Sequence, residues 1–155
     1  MIEQIDKHKW LYLTAIGEPE DNVLRLVIEE ARSDGNLKPT VIAGHDIGEA
    51  QGIVSDAGCF AYELVFERYV AYSIRDESYT QQDEEEIHTG RLACVYSKSK
   101  FLDYVRVSTF ASDDYPGPIT HYGFNCLNHI VDVAAFEEPK STVIRTPNQA
   151  LEPTS

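Results

Sequence analysis

Cys59-Phe60-Ala61-Tyr62-Glu63-Leu64-Val65-Phe66-Glu67-Arg68-Tyr69-Val70-Ala71-Tyr72-Ser73-Ile74-Arg75 is the stretch that decides the fold. Phe60, Tyr62, Leu64 and Phe66 fall on one parity; Ala61, Glu63 and Glu67 fall on the other. Beyond Arg68, the residues Val70, Tyr72 and Ile74 continue the even parity. A period of two is the mark of a half-buried strand. Strands of this length are uncommon, so the reading is one long strand bent near Glu67-Arg68, or two strands joined tightly there.

On the N-terminal side, Trp10 to Ile16 is an aromatic and β-branched run that stops at Gly17, a first strand. Val23 to Ala31 alternates, with Leu24, Leu26 and Ile28 on one face and Arg25 and Glu29 on the other. Ser33-Asp34-Gly35-Asn36 has the residues of a turn, and Thr40 to Ala43 reads as the return strand of a hairpin. Residues 44–58 are glycine-rich and read as an irregular connection with a short strand at Gly52-Ile53-Val54. The spacing of these glycines matches neither a phosphate-binding loop nor a dinucleotide fingerprint.

On the C-terminal side, an acidic loop runs from Asp76 to Gly90, followed by a strand from Arg91 to Tyr96. Ser99 is the N-cap of the one main helix, expected over 99–111, with Asp103 in its first turn. Phe101, Leu102, Val105 and Thr109 mark its apolar stripe. Ile119 to Phe136 returns to strand character in two segments, and Thr142-Val143-Ile144 adds an edge strand. The fold class is α+β, predominantly antiparallel β in a sandwich or curved sheet. Residues 1–146 form a single β-rich domain in this reading, and 147–155 a disordered tail.

Charge narrows the function. Asp and Glu total 26 against 13 for Lys and Arg, a formal net charge of −13. Nucleic-acid affinity rests on cationic contacts that release counterions, so no nucleic-acid partner is expected. The acid is spread along the chain; only Asp83, Glu84, Glu85 and Glu86 form a run. No apolar leader and no span of about 18 apolar residues is visible, so no membrane partner is expected. Cys59, Cys94 and Cys126 are odd in number and widely spaced, which fits free thiols and a cytoplasmic location.

No motif carries catalysis, and neither a cofactor nor a metal site is expected. His121 and His129 lie eight residues apart, about 26 Å along one strand at ~3.3 Å per residue, so one ion could hold both only across a sharp turn. Two readings follow. The first is a non-enzymatic protein-binding domain for a basic partner, with Asp83, Glu84, Glu85, Glu86 and Tyr79 as its contact surface. Its size and charge are those of small inhibitor or immunity proteins, though no motif carries a kinship. The second is a small-molecule-binding protein or enzyme whose pocket, between sheet and helix, holds Tyr72, Arg75, His121 and His129. Association of the chain with further copies of itself is compatible with either.

Overall fold

The computed structural model describes residues 1–148. Its elements run α1 (Ile2–Asp6), β1 (Trp10–Glu20), β2 (Val23–Ile42), β3 (His45–Val54), β4 (Ala61–Phe66), β5 (Tyr69–Asp76), β6 (Ile87–Thr89), β7 (Ala93–Lys98), α2 (Lys100–Ser108), β8 (Thr120–Asn125), β9 (His129–Ala135) and β10 (Lys140–Arg145). The strands form two five-stranded sheets with antiparallel pairing. The first has the order β1-β2-β4-β10, with β3 added on β2; the second has the order β5-β9-β8-β7-β6.

The long alternating stretch is two strands. The chain turns at Glu67-Arg68 and passes from β4 in the first sheet to β5 in the second. That corner makes the molecule a sandwich. Tyr62, Leu64 and Phe66 of β4 meet Leu24, Leu26 and Ile28 of β2 on the inner face of the first sheet. Tyr122 and Phe124 of β8 and Val131, Val133 and Ala135 of β9 cover them from the second sheet. Burying each large apolar side chain here contributes about 1.5–3 kcal/mol. Ile5 of α1, at 0 % exposure, plugs the same core. The sequence pattern missed α1 because five residues are too few for a helical period to show.

Two further expectations are corrected. Ser33-Asp34-Gly35-Asn36 does not turn the chain back. Asp34 accepts from the Asn36 N–H and Ser33 Oγ from the Gly35 N–H, but this local turn chemistry builds a bulge inside β2. The hairpin turn is Ala43-Gly44, with Ile42 opposite His45 and both turn residues at positive φ. Accordingly, residues 45–54 are not an irregular connection but the strand β3. Strands β2 and β3 run past the sandwich as a two-stranded arm, since among the described residues β2 beyond Arg32 pairs only with β3.

Helix α2 starts where expected, with Ser99 Oγ accepting from the Leu102 N–H at 3.0 Å. It stops at Ser108, three residues short of the expected end. Thr109 Oγ1 donates to the Val105 carbonyl and accepts from the Ala111 N–H, which takes the chain off the helix. Of the expected tail, Pro147 and Asn148 are described, and the Asn148 N–H donates to the Ala57 carbonyl at 3.1 Å. Residues 149–155 lie outside the described residues. Among the described residues, no helix is long and apolar enough to cross a membrane.

Candidate functional site

The second sheet has two unlike faces. Val131 and Val133 of β9 point into the core, so strand alternation sends Asp132 to the outer face, beneath α2. Gly123 and Ser73, opposite Asp132 in the ladders, share that face, as do His121 and Arg75 two positions further along β8 and β5.

A buried polar relay crosses this face. Ser99 Oγ lies 2.8 Å from His121 Nδ1, His121 Nε2 lies 2.9 Å from Asp132 Oδ1, and Arg75 donates to Asp132 Oδ2 at 3.0 Å. Ser99, His121 and Asp132 are 2 %, 1 % and 4 % exposed, whereas the Arg75 side chain is 47 % exposed. Tyr96 stacks on the imidazole with ring centroids 4.1 Å apart, and Phe101 packs against it at 4.9 Å. Tyr96 can lie there because position 123 is glycine; a Cβ would stand 2.7 Å from the Tyr96 ring.

Serine, histidine and aspartate in series resemble a nucleophile, base and orienting acid. Burial decides otherwise. The hydroxyl is enclosed and already caps α2, so the relay fastens the helix start to the sheet and holds Arg75 at the surface. Sequence reasoning had Ser99 as the cap and His121 as a candidate, but had not joined them. The link depends on the Cys126–Asn128 turn, which folds β9 back on β8 and brings Asp132 beside His121.

The acidic loop stands over Arg75. Asp76 accepts from the Ser78 N–H, starting a short 3-10 turn at Glu77–Tyr79. Asp83 then meets the Lys100 ammonium at 2.5 Å, and Glu86 accepts from the Lys100 N–H at 3.1 Å. The ion pair and the hydrogen bond tie the loop to the positive end of α2. The Lys100 ammonium, with the Glu85 N–H, holds the Asp83 carboxyl below its usual range. Glu77, Glu84 and Glu85 have no side-chain partner among the described residues. The run Asp83–Glu86 is therefore two anchors, Asp83 and Glu86, and two free carboxylates.

Two adjoining clefts open between this loop and the sheet. One, of about 560 Å³, has Trp10, Leu127 and Ile130 in its lining with Arg75, Glu77, Glu84 and Arg91. The other, of about 410 Å³, lies toward α2 and includes Arg75, Glu84, Lys100 and Asp132. A separate groove of about 740 Å³ beside α1 contains none of the residues singled out from the sequence.

Of the residues expected in a pocket, Arg75 and His121 are joined through Asp132. Tyr72 is opposite Val133, on the other face of β5, and His129 is opposite Asp76 at the end of its ladder, its Nδ1 buried and without a partner among the described residues. Tyr79 is 86 % exposed on the loop, outside both clefts. Among the described residues, no three His, Cys, Asp or Glu side chains are grouped to hold a metal ion. Cys59, Cys94 and Cys126 are free and buried. Burial pushes the Cys94 thiol up to about 11 and the Cys126 thiol up to about 12, so neither is a ready nucleophile.

Comparison with protein-family models, with curated proteins and with solved structures finds no match to this chain.

Proposed function

We propose that this chain is a non-enzymatic, cytoplasmic protein-binding domain that engages a basic partner through the loop 76–90. One observation carries the reading: Asp83 and Glu86 pin the loop to α2, while the exposed Glu84 and Glu85 have no side-chain partner among the described residues. A pre-ordered loop loses less conformational entropy on binding than a flexible one. Free carboxylates on a chain of net charge −13 steer a cationic partner and set its orientation. Three buried free thiols suit a reducing compartment.

The test is capture from the lysate of the native host at low and high salt, using the wild type and the Glu84→Gln/Glu85→Gln variant, which leaves the Glu86 anchor in place. A cationic protein held by the wild type at low salt and released by the variant supports the reading. Equal retention by the two proteins removes the loop from the interface.

A further inference from the structure

Arg75 lines both clefts, so they are two lobes around one guanidinium. One of its Nη atoms donates to Asp132, which is 4 % exposed and held from behind by His121. The rest of the fork has no hydrogen-bond partner among the described residues. A guanidinium anchored at one nitrogen keeps its other in-plane N–H donors in a fixed place. Glu77 and Glu84, without a side-chain partner among the described residues, share the lining of the first lobe with Arg75, Arg91 and the apolar Trp10, Leu127 and Ile130.

The cleft thus combines guanidinium donors, free carboxylates of the loop and apolar side chains in one lining. The carboxylates of the first lobe, Glu77, Asp83, Glu84 and Glu86, outnumber its guanidiniums, Arg75 and Arg91, so an anion is disfavoured, and a bare cation would leave Arg75 unsatisfied. A cation carried on a short apolar chain from a hydrogen-bond acceptor satisfies both ends. Resting on the protein-binding reading above, we propose that this cleft receives a lysine side chain of the partner. Its ammonium meets Glu77 and Glu84, its methylenes cover the apolar floor, and its own main-chain carbonyl accepts from Arg75. The Ser99–His121–Asp132 relay serves as the positioning group for Arg75.

Four probes test this by heteronuclear NMR titration of the whole chain: N-acetyl-lysine N-methylamide, the same compound acetylated on Nζ, butylamine, and free lysine. The blocked lysine is expected to shift the cleft resonances and bind at least tenfold tighter than the Nζ-acetylated form. Butylamine, which lacks the carbonyl, should bind about tenfold more weakly than the blocked lysine, the size of one charge-assisted hydrogen bond. Arg75→Ala should erase the difference between blocked lysine and butylamine while leaving butylamine unchanged; Arg75→Gln, which keeps a donor, should restore part of it. Unshifted core amides of β8 and β9 show that each variant is folded.

Equal affinity for blocked lysine and butylamine in the wild type overturns the role of Arg75, as does an Arg75→Ala variant that weakens both alike. Tighter binding of free lysine than of blocked lysine overturns the peptide assignment and makes the ligand a free amino acid. If a cationic protein is retained through Glu84 and Glu85 while no lysine probe shifts the cleft, this inference fails and the binding-domain reading survives. If the cleft binds blocked lysine but the chain retains no protein, the lysine site stands and the binding-domain reading fails.

Discussion

Two histidines in this molecule are held at both ring nitrogens by a hydroxyl and a carboxylate. His8 Nε2 lies 2.5 Å from the Tyr62 hydroxyl, and His8 Nδ1 lies 3.1 Å from Glu30. Burial and the Glu30 charge push the Tyr62 phenol up to about 12. His121 repeats the pattern with Ser99 and Asp132. Such bridges matter through what happens when one member is lost, because a buried group left unpaired costs more than the bond itself contributes. Asp132→Ala strands His121 and Arg75 together and is expected to cost about 3–5 kcal/mol. Ser99→Ala removes a helix cap and is expected to cost about 1–2 kcal/mol. Because the two share His121, the double variant should cost less than the two single losses added. Urea unfolding checks this. A loss below about 1 kcal/mol for Asp132→Ala would mean that water replaces the carboxylate and that the relay is not structural.

At the scale of the element, the β2–β3 arm is the least supported part of the molecule. Leu37, Val41, Ile42 and Ile47 are each more than half exposed on it. Its tip requires positive φ at both turn positions, +50° at Ala43 and +81° at Gly44. Gly44→Ala is expected to loosen the arm by about 1–2 kcal/mol, and Ala43→Asn to tighten it by up to about 1 kcal/mol. Amide exchange at Thr40 to Asp46 is the readout, because the arm can open while the sandwich stays closed. Unchanged exchange in both variants would show that the turn does not limit the arm.

This arm also marks the limit of sequence reading. The strands β2 and β4 were legible because one face of each packs in the core, and burial of one face imposes alternation on the residues. Strand β3, His45 to Val54, is largely exposed, so nothing selects apolar residues at every second position. Its turn uses Ala-Gly where Asn-Gly would have announced a hairpin. The strong turn residues at 33–36 went instead into a bulge. The site was legible to the same degree: the acidic run, Arg75, His121 and the Ser99 cap are all local features. Which carboxylates are free depends on where Lys100 stands, and which acid meets His121 depends on a hairpin register. Neither is a property of a short window of sequence.

For the molecule as a whole, the acid excess makes the carboxylate contacts the pH-sensitive part of stability. Burial alone would raise the Asp6 carboxyl, but N–H donors from Ala93, Arg91 and Leu92, all on Oδ1 at 2.7–3.0 Å, bring it below its ordinary 3.8. Burial likewise raises Glu29, and bonds from Ser55 and Arg145 outweigh it. Asp6 ties α1 to the start of β7, and Glu29 ties β2 to β10, so each joins segments distant in sequence. A carboxyl whose folded pKa is depressed binds fewer protons folded than unfolded. Its contribution is complete above the unfolded value and disappears as the pH falls through the folded value. Thermal stability should therefore fall steeply below about pH 4. Asp6→Asn keeps an acceptor for the three N–H groups but removes the titration. It should cost about 1–2 kcal/mol at pH 7 and make the acid limb shallower. Scanning calorimetry of both proteins between pH 7 and pH 2 decides it. Parallel acid limbs in wild type and Asp6→Asn would place the acid sensitivity elsewhere, with Glu29 the next carboxylate to replace.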